Sequence, residues 1–447
     1  MRTVPRIVLA APSSGAGKTT VALVAITALR RAGERVQPFK AGPDYIDPSH
    51  LGAAAGRTPY NLDTWFLTPS QTRGLFAEAM RGATIAVVEG VMGMFDGRAG
   101  AGSAGSTADL AAALNAPVLL VVDASGMASS IAAVAHGFAA FDRRVQVGGV
   151  IANRVGSERH ADLLREALAA VGLPLVGWLP NDPQLHLPER HLGLILAGEM
   201  AIPEEALRAA GRHLDVAALV RLARSAGPLP PAAAVFPEPQ PPRVRIGWAE
   251  DAAFQFAYPE TRELLRRLGA EIVPFSPLAD AQLPAVDALY FGGGYPELHA
   301  EALAANRPMR EAIRAFPGPI VAECGGYMYL AQALVIGDRR AAMVGLLPGQ
   351  AVLADRPVLG YREVIALRES PVALPGWRLR GHEFHYARME GSPLPAWRLA
   401  GSEAVEGFSS GRVLGSFVHL YLLAHQEAAA RFVAAAEQGS AARAANA

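Results

Sequence analysis

The segment Ala11-Pro-Ser-Ser-Gly-Ala-Gly-Lys-Thr-Thr20 decides the fold of the first half of this chain. It follows the predicted strand Arg6 to Ala10 and runs into a helical pattern from Lys18 to Arg31. A strand, a glycine-rich turn and a helix in this order bring backbone N–H groups and a helix N-terminus together around phosphate oxygens. The segment therefore predicts a phosphate-binding loop in an α/β domain.

The side chains of this loop have separate predicted tasks. We expect Lys18 to reach the β and γ phosphates of ATP, and the hydroxyl of Thr19 to ligate Mg²⁺. The loop departs from the usual pattern, because Pro12 stands five positions before Gly17, where a glycine is usual. Its entrance must therefore differ from that of the common NTPases. The predicted ATP contacts are Gly15, Ala16, Gly17, Lys18, Thr19, Thr20 and Asn153.

Lysine is rare in this chain and occurs only inside motifs. Of the 41 basic residues, two are lysine, Lys18 and Lys40, and the rest are arginine. We interpret the two lysines as positions that need a compact ammonium group, for which the planar guanidinium of arginine would be a poor substitute. A composition bias that left two lysines by accident is the alternative. Because each lysine lies beside glycine-rich or acidic motif residues, the pattern favours phosphate chemistry.

Polar residues follow the strands next to the loop, where doubly wound sheets bind ligands. Glu89 ends a predicted strand and is the second candidate ligand for Mg²⁺. Asn153 ends another and is predicted to bond the adenine edge, with a helix cap as the alternative. Acidic turn residues often serve only the turn, and that alternative stays open here. The predicted substrate or acyl-phosphate contacts are Lys40, Asp44, Tyr45, Asp47 and Asp96.

The chain divides at a proline-rich stretch, 225–242, which can sustain neither a helix nor a central strand. Short apolar strands alternate with helical patterns on both sides of it, and 51% of the residues are apolar. The sequence predicts an α/β fold of two doubly wound domains, at 1–224 and 243–447. The predicted strands are Arg6 to Ala10, Val36 to Phe39, Thr84 to Val88, Val118 to Val122, Val147 to Ile151, Arg243 to Trp248, Glu271 to Phe275, Val286 to Phe291 and Ile320 to Glu323, and the predicted helices are Lys18 to Arg31, Glu158 to Val171 and Glu260 to Leu268.

A second reactive site is predicted around Cys324, the only cysteine. Cys324 follows a predicted strand and precedes two glycines, so we expect an exposed sulfur at a helix N-terminus, where the dipole lowers the thiol pKa. His419, at another predicted strand end, is the candidate base. Gly293 and Gly294 are the candidate N–H donors to an oxyanion. His382 and His385 lie three apart on a strand pattern, which does not fit a zinc helix, so we interpret them as substrate-contacting or structural.

Composition excludes several other classes of function. The net charge is zero and there is no basic run, which argues against nucleic acid as a partner. The stretch Ile7 to Ala11 is too short for a signal peptide, and Ala124 to Phe141 contains serines, glycine and histidine, which favours a packed helix over a membrane span. One cysteine fits a reducing compartment, so a cytoplasmic protein is expected. A homodimer is compatible with the sequence.

The motifs together resemble a known family. Lys-Ala-Gly-Pro-Asp-Tyr-Ile-Asp-Pro at 40–48, Asn-Leu-Asp-Thr-Trp at 61–65 and Glu-Gly-Val-Met-Gly-Met-Phe-Asp-Gly at 89–97 are similar to those of the cobyrinic and hydrogenobyrinic acid a,c-diamide synthases of cobalamin biosynthesis. The resemblance implies a dethiobiotin synthetase-like P-loop domain followed by a class I glutamine amidotransferase domain of flavodoxin-like fold.

The resemblance also implies a reaction. ATP with Mg²⁺ phosphorylates a corrin carboxylate, and Cys324, activated by His419, releases ammonia from L-glutamine. Many class I amidotransferases place a glutamate two positions after the histidine, but Tyr421 stands there in this chain. The residue that orients His419 is therefore unassigned. Arginine richness favours a cobalt-free ring, but the sequence leaves the presence of cobalt and the order of amidation open.

Two alternatives remain at this stage. A cobyric acid synthase shares both halves but amidates other corrin side chains, and the segments at 44–48 and 61–65 favour the a,c reaction. A deviant P-loop partitioning or assembly ATPase belongs to a different class, in which nucleotide drives dimerisation, and it leaves 243–447 without a purpose.

Overall fold

The computed structural model of the protein describes residues 4–98, 102–187, 189–190, 193–194 and 196–446. The chain forms two compact units that divide between Val235 and Phe236, inside the proline-rich stretch. We call them unit 1 and unit 2 and describe each by itself.

Unit 1 is built from strands that alternate with helices along the chain. Its strands are β1 (Arg6–Ala10), β2 (Val36–Ala41), β3 (Tyr60–Leu62), β4 (Ile85–Glu89), β5 (Val118–Asp123), β6 (Val147–Val155), β7 (Leu175–Pro180) and the short hairpin of β8 (Glu189–Arg190) and β9 (Gly193–Leu194). Its helices are α1 (Lys18–Arg31), α2 (Asp47–Ala55), α3 (Pro69–Ala79), α4 (Thr107–Leu114), α5 (Ser130–Phe141), α6 (Glu158–Ala169), α7 (Glu204–Gly211) and α8 (Val216–Arg224), with a 3₁₀ turn at Pro183–Leu185.

The main sheet of unit 1 has the order β3-β2-β4-β1-β5-β6-β7 with parallel neighbours. Strand β1 is central and fully buried, as expected for a parallel strand covered on both faces by helices. The chain leaves β1 through the glycine-rich loop into α1, which is itself mostly buried. The carboxyl ends of β1, β2 and β4 therefore meet at one edge of the sheet, where such folds bind ligands.

The predicted strands and helices of unit 1 are confirmed, with one correction. Strand β6 does not end before Asn153 but continues to Val155, where it pairs with Pro180 of β7. The pairing register shifts between Ala152 and Val155, and Arg154 has a positive φ of 57°. Strand β6 thus continues beyond its predicted end, with a local irregularity in its pairing with β7.

The first part of the proline-rich stretch is tied to unit 1. It contains neither helix nor strand, as predicted. The guanidinium of the fully buried Arg6 donates to the carbonyl oxygen of Gly227 at 2.6 Å, and Ala233 N–H donates to the carbonyl oxygen of Ser70 at 3.0 Å. Backbone polar groups that would otherwise be unpaired in this irregular segment are thereby satisfied.

Unit 2 contains more strands than the sequence predicted. Its strands are β10 (Val244–Ala249), β11 (Ala270–Phe275), β12 (Ala288–Phe291), β13 (Ile320–Glu323), β14 (Ala333–Ile336), β15 (Arg339–Ala342), β16 (Gln350–Ala366), β17 (Arg378–Glu390), β18 (Trp397–Leu399), β19 (Val405–Glu406), β20 (Phe408–Ser409), β21 (Val413–Ser416) and β22 (His419–Leu420). Its helices are α9 (Pro259–Arg267), α10 (Ala300–Ala305), α11 (Arg307–Ala315), α12 (Gly325–Leu330) and α13 (Gln426–Asn446), with 3₁₀ turns at Pro296–His299 and Leu422–Ala424.

Two sheets organise unit 2. The first has the order β11-β10-β12-β13-β21-β20 and is parallel except for β20. The second is mixed, with the order β15-β14-β16-β17-β22, and β18 and β19 continue it from β16. The α/β class is confirmed, but the mixed sheet was not predicted. It matters for function because β17 and β22 carry His382 and His419.

The structure shows how much of the uncharged stretch Ala124 to Phe141 is helical. The uncharged stretch that begins at Ala124 is helical only over Ser130–Phe141. Among the described residues, no helix has both the length and the apolar character of a membrane-spanning segment.

Candidate active sites

A cleft of about 350 Å³ opens at the edge of the unit 1 sheet where β1, β2 and β4 end. Most of the residues predicted to bind ATP, substrate or metal line this cleft. Its walls are formed by Ser14, Gly15, Gly17, Lys18, Thr19, Thr20, Lys40, Asp44, Asp47, Glu89, Val91, Met92, Arg154, His186 and Leu187. A polar, concave site at this topological position is suited to a phosphorylated ligand.

The phosphate loop has the conformation that its glycines predict. Gly15 and Gly17 adopt positive φ angles of 76° and 86°, and Gly17 lies against the amide of Asn153. The Lys18 ammonium donates to the carbonyl oxygens of Met92 at 2.6 Å and Ser13 at 3.3 Å, which places it over the loop. Burial, and then the positive charge of Lys40, lower the pKa of Lys18 to about 8.

Lys40 is the centre of a buried cluster of charges. Its ammonium lies 2.5 Å from Asp47 Oδ2 and 2.9 Å from Glu89 Oε1, and 3.9 Å from Asp44 Oδ2. It also donates to the carbonyl oxygen of Gly90 at 3.1 Å. Burial acts to lower the pKa of Lys40, but the charges of Asp47 and Glu89 outweigh it and raise that pKa above its usual value.

The pKa of Asp47 is shifted in the opposite direction to those of the other two carboxyl groups around Lys40. Burial, and then the charge of Asp47, raise the pKa of Asp44 to about 7. Burial also raises the pKa of Glu89 to about 7, although Lys40 acts in the opposite direction. For Asp47, the charge and hydrogen bond of Lys40 outweigh burial and lower the pKa below its usual value. Such separated values within one cluster are typical of a functional site.

Thr19 and Glu89 fit the predicted magnesium site. Thr19 Oγ1 donates to Glu89 Oε1 at 2.7 Å, so the loop hydroxyl and the strand-end carboxylate are adjacent. In the described part of the chain, the second oxygen of Glu89 is buried and makes no hydrogen bond. A hydroxyl and a carboxylate oxygen are hard ligands that Mg²⁺ accepts, together with nucleotide phosphates and water. These two residues could therefore hold the ion.

Four other predicted residues of this region have different outcomes. Asp96 does not line the cleft, and its Oδ2 accepts the Gly93 N–H at 2.9 Å, so it serves the turn. Tyr45 is half-buried beside Asp44 but does not line the cleft. Thr20 lines it and donates to the carbonyl oxygen of Leu185 at 3.2 Å. Ala16 is buried in the loop.

Asn153 supports the phosphate loop. Its amide nitrogen donates to the carbonyl oxygen of Ala16 at 3.0 Å. The helix-cap alternative is wrong, because Ser157 caps α6 by accepting the His160 N–H. The adenine contact stays a prediction.

Among the titratable side chains of the cleft, sequence reasoning missed those of Arg154 and His186. Arg154 has a positive φ and pairs with Asp123 across β5 and β6. Arg154 directly follows Asn153, a predicted ATP contact, so its position in the sequence could have indicated a cation at the cleft. His186 follows the 3₁₀ turn and carried no motif.

In unit 2, Cys324 occupies a strained turn between β13 and α12. Its φ of 48° and ψ of −105° are unusual for a residue other than glycine, and strain of this kind is concentrated at functional sites. The predicted exposed sulfur is wrong, since Cys324 is only 3% exposed. The cover comes partly from β17, whose Phe384 carbonyl oxygen lies 3.9 Å from Sγ. No sequence pattern near the cysteine indicates that strand.

The predicted lowering of the thiol pKa is also wrong. Burial raises the pKa of Cys324 well above its usual value, and the charge of Glu297 adds to it. The Gly325 N–H donates to the sulfur and acts in the opposite direction, but Glu323 and Glu383 raise the pKa further. Desolvation is the largest of these effects, because a buried thiolate loses its hydration. A base is therefore required for the thiol to react.

His419 lies beside Cys324, as predicted, but on a different element. Strand β21 ends at Ser416, and His419 begins β22, which pairs with His382 of β17. A Cβ built on Gly293 would lie 3.0 Å from His419 Nε2 and 3.2 Å from Cys324 Cβ. The imidazole and the cysteine therefore flank the same point, and only a glycine leaves room there.

The predicted oxyanion donors have separate outcomes. Gly293 is wrong as a donor, because its N–H bonds the carbonyl oxygen of Phe256 at 2.8 Å. Gly294 stays a prediction. A Cβ on Gly325 would lie 3.0 Å from the nitrogen of Gly294, so these two peptide groups are adjacent. The sequence did not single out the N–H of Gly325, although the residue after a nucleophile commonly supplies one.

His382 and His385 are confirmed as strand residues of β17. Burial, and then the nearby His419, lower the pKa of His382 to about 3, so it stays neutral. His385 stacks on Phe417 with ring centroids 4.0 Å apart. In the residues that the structure describes, no group of three His, Cys, Asp or Glu side chains could hold a metal.

Comparison with known proteins assigns a domain family to each unit. Residues 7–195 match the CobQ/CobB/MinD/ParA nucleotide binding domain, and residues 245–427 match the CobB/CobQ-like glutamine amidotransferase domain. A cobyrinate a,c-diamide synthase of Syntrophotalea carbinolica is 46% identical over 96% of this chain and 98% of its own length. A hydrogenobyrinate a,c-diamide synthase of Streptomyces coelicolor is 43% identical over 96% of this chain and 97% of its own.

The chain belongs to the family of cobyrinate and hydrogenobyrinate a,c-diamide synthases.

The a,c-diamide synthases are glutamine-dependent, amide-forming ligases. Unit 1 accordingly carries a nucleotide-binding domain, and unit 2 carries a glutamine amidotransferase domain. The partitioning ATPase alternative leaves residues 245–427 without a role and is set aside.

Proposed function

We propose that this protein amidates the a and c side-chain carboxylates of cobyrinic or hydrogenobyrinic acid, with ATP and L-glutamine as co-substrates. One observation carries the proposal. Cys324 and His419 flank a single point in an amidotransferase domain, and the same chain has a phosphate loop beside a buried lysine and carboxylate cluster. The printed names of the relatives supply the substrate.

The cleft of unit 1 is suited to carboxylate activation. A carboxylate of the ring attacks the γ phosphorus of ATP, ADP leaves, and an acyl phosphate forms. The two anions repel each other as they approach, and Lys18 together with Lys40 offsets that charge. Asp47 and Glu89 hold the ammonium of Lys40 in one place. Mg²⁺, held by Thr19 and Glu89, would supply further neutralisation of the phosphates.

The thiol site of unit 2 supplies the nitrogen. His419 takes the proton of Cys324, and the thiolate attacks the carboxamide carbon of glutamine. The nitrogen leaves as ammonia with the proton returned by the imidazole, and water hydrolyses the glutamyl thioester to glutamate. We propose that the N–H groups of Gly294 and Gly325 donate to the tetrahedral oxyanion. Ammonia then displaces phosphate from the acyl phosphate and forms the amide.

The two-site division has a chemical reason. Ammonia is mostly protonated near neutral pH in bulk water, and the ammonium ion is not a nucleophile. Ammonia that is made within the enzyme and used before it equilibrates with solvent avoids that loss. The second carboxylate is amidated by a repeat of the same cycle.

Mass analysis of the product tests the proposal. The purified protein is incubated with ATP, Mg²⁺, glutamine and either cobalt-free or cobalt-bearing ring acid. We expect two hydroxyl-to-amino exchanges, at a and c, with glutamate and ADP formed in step. Amidation of other side chains of an already diamidated ring would indicate a cobyric acid synthase instead. No amidation of any ring would contradict the proposal.

Two further expectations have their own measurements. A cytoplasmic location is tested by fractionation of the source cells. A homodimer is tested by sedimentation of the purified chain.

A further inference from the structure

The thiol site lacks the glutamate that many class I amidotransferases place two residues after the histidine. Tyr421 occupies that position and is fully buried, with its ring packed edge-on against Tyr258 at a centroid distance of 4.9 Å. It carries no carboxylate that could orient His419. An imidazole that acts as a base needs a fixed tautomer and ring plane, which a neighbouring acceptor usually provides.

A carboxylate reaches the same imidazole from another strand. Glu323 is the last residue of β13, directly before Cys324, and is 2% exposed. Its Oε2 lies 3.6 Å from His419 Nδ1, whereas the other ring nitrogen, Nε2, and Cys324 Cβ both lie close to Gly293. This distance is that of an ion pair, slightly beyond a hydrogen bond.

Glu323 is held in this place by two hydrogen bonds. Leu420 N–H, next to His419, donates to its Oε1 at 3.0 Å. The hydroxyl of Tyr290 donates to its Oε2 at 2.6 Å, and the Tyr290 ring stacks on Trp248 at 4.1 Å with an interplanar angle of 10°. The carboxylate is thus anchored from β12 and β22, and it has little freedom to turn away from the imidazole.

We propose that Glu323 is the positioning residue for His419 and replaces the glutamate that Tyr421 displaced. The inference rests on the proposed function, in which His419 takes the Cys324 proton. In that step the proton moves from Sγ to Nε2, and the imidazole becomes positive. The side chain of Glu323 lies beside Nδ1 and stabilises that charge in a site with little water. When the proton is passed to the departing nitrogen, the imidazole becomes neutral again.

A simple charge effect predicts the opposite sign. Glu323 and Glu297 both raise the pKa of the Cys324 thiol. If Glu323 acted only through its charge on the thiol, its neutralisation would make the thiolate more available. If Glu323 acts through His419, its neutralisation slows thiol activation. The direction of the change therefore separates the two roles.

The test uses Glu323→Gln in the full-length protein. Glutamine keeps the volume and can still accept the Leu420 N–H, so the fold is preserved. We expect kcat for glutamine hydrolysis to fall at least about tenfold with little change in KM, whereas amide synthesis from ammonium salts stays near wild type. Glu323→Asp should recover part of kcat, because it restores the charge at a longer distance.

Alkylation gives a second measurement that does not depend on turnover. Cys324 is the only cysteine of the chain, so the alkylation rate of the whole protein by a small haloacetamide reports this thiol alone. Glu323→Gln and His419→Ala should both slow alkylation, whereas the charge control Glu297→Gln should speed it or leave it unchanged.

The outcomes are distinguishable from failure of the proposed function. If Cys324→Ala still hydrolyses glutamine, the thiol mechanism itself is wrong. If Cys324→Ala is inactive but Glu323→Gln hydrolyses glutamine within about twofold of wild type, or is alkylated faster, the role of Glu323 is overturned. If Glu323→Gln also loses ammonium-dependent synthesis, the substitution has damaged the fold. The role of Glu323 is then tested with the two milder variants, Glu323→Asp and Tyr290→Phe. Tyr290→Phe removes one hydrogen bond to Glu323 but keeps its carboxyl group in place. We therefore expect a higher kcat for glutamine hydrolysis in Tyr290→Phe than in Glu323→Asp, and the reverse order overturns the proposal.

Discussion

The ammonium of Lys40 lies 2.9 Å from Glu89 Oε1, and the hydroxyl of Thr19 donates to the same oxygen at 2.7 Å. Lys40 is 2% exposed and Glu89 is 1% exposed, so this contact is enclosed by protein. A single carboxylate oxygen thus joins the start of α1, at the phosphate loop, to the end of β2. A ligand that binds Thr19 therefore lies close to the ammonium of Lys40, because both side chains contact the same oxygen of Glu89.

Lys40→Arg should stop amide synthesis. The planar guanidinium cannot place one donor between Asp47, Glu89 and the Gly90 carbonyl in a site built for a compact ammonium. We expect synthesis to fall at least about a hundredfold with glutamine and with ammonium alike, because misplacement of an activating group is costly. Glutamine hydrolysis by unit 2 should persist. The exposed Arg81→Lys is the matched control, and wild-type synthesis by Lys40→Arg would contradict this account.

Gly17→Ala should weaken ATP binding more than Gly15→Ala does. Both glycines have positive φ, so each alanine carries strain of about 1 to 2 kcal/mol. A Cβ at Gly17 would also lie 2.1 Å from Asn153 Nδ2 and disturb its bond to Ala16, whereas a Cβ at Gly15 meets nothing within 4 Å. Titration calorimetry with ATP measures the two dissociation constants. Equal weakening by the two variants would show that Asn153 does not support the loop.

Glu406 should make the stability of unit 2 depend on pH. Its carboxyl group accepts the Phe417 N–H at 2.6 Å and the Ser416 hydroxyl at 2.7 Å, and burial raises its pKa to about 8. The folded state therefore holds this proton more tightly than the unfolded state. The stabilisation is fully present below about pH 4.5 and is lost as the pH rises towards 8.

Glu406→Gln should remove that dependence. Thermal unfolding followed between pH 5 and pH 8 is the measurement, since each pH unit in this window can cost up to about 1.4 kcal/mol for one group. Relative to the variant, the wild-type protein should lose stability as the pH rises. Parallel curves for the two proteins would mean that the carboxyl group ionises normally in the fold.

Arg6→Lys should loosen the start of the proline-rich stretch. The Arg6 fork donates to the carbonyl oxygens of Leu114 at 2.7 Å, Asn115 at 3.0 Å and Gly227 at 2.6 Å. A lysine reaches fewer of these acceptors, and each lost hydrogen bond to a charged donor costs about 1.5 to 3 kcal/mol. Limited proteolysis should then cut faster near Gly227, with Arg81→Lys as the control. An unchanged cleavage rate would show that other contacts hold the segment.

Local chemistry explains what the sequence predicted correctly. The bounds of β1, α1 and β13 agree with the sequence prediction because a buried apolar run, a glycine turn and a helix start each leave a local pattern. The proximity of Cys324 and His419 was also predicted, since the two residues follow β13 and β21, which are parallel neighbours and end at the same edge of their sheet.

Long-range contacts explain what the sequence missed. Strand β16 has a half-exposed pattern without regular alternation, so its long pairing with β17 is set by tertiary contacts rather than by local propensity. The same hairpin buries Cys324 and supplies His382 beside His419. Likewise, the Gly293 N–H was predicted free, but Phe256, far earlier in the chain, accepts it.

The most direct test of the two-site account is the nitrogen-donor dependence of Cys324→Ala. The account predicts that this variant makes no diamide with glutamine and makes it at a wild-type rate with ammonium salts, because the unit 1 cleft is intact. Lys18→Ala should lose synthesis with both donors while glutamine hydrolysis continues. Equal loss with glutamine and ammonium in Cys324→Ala would contradict the separation of ammonia release from carboxylate activation.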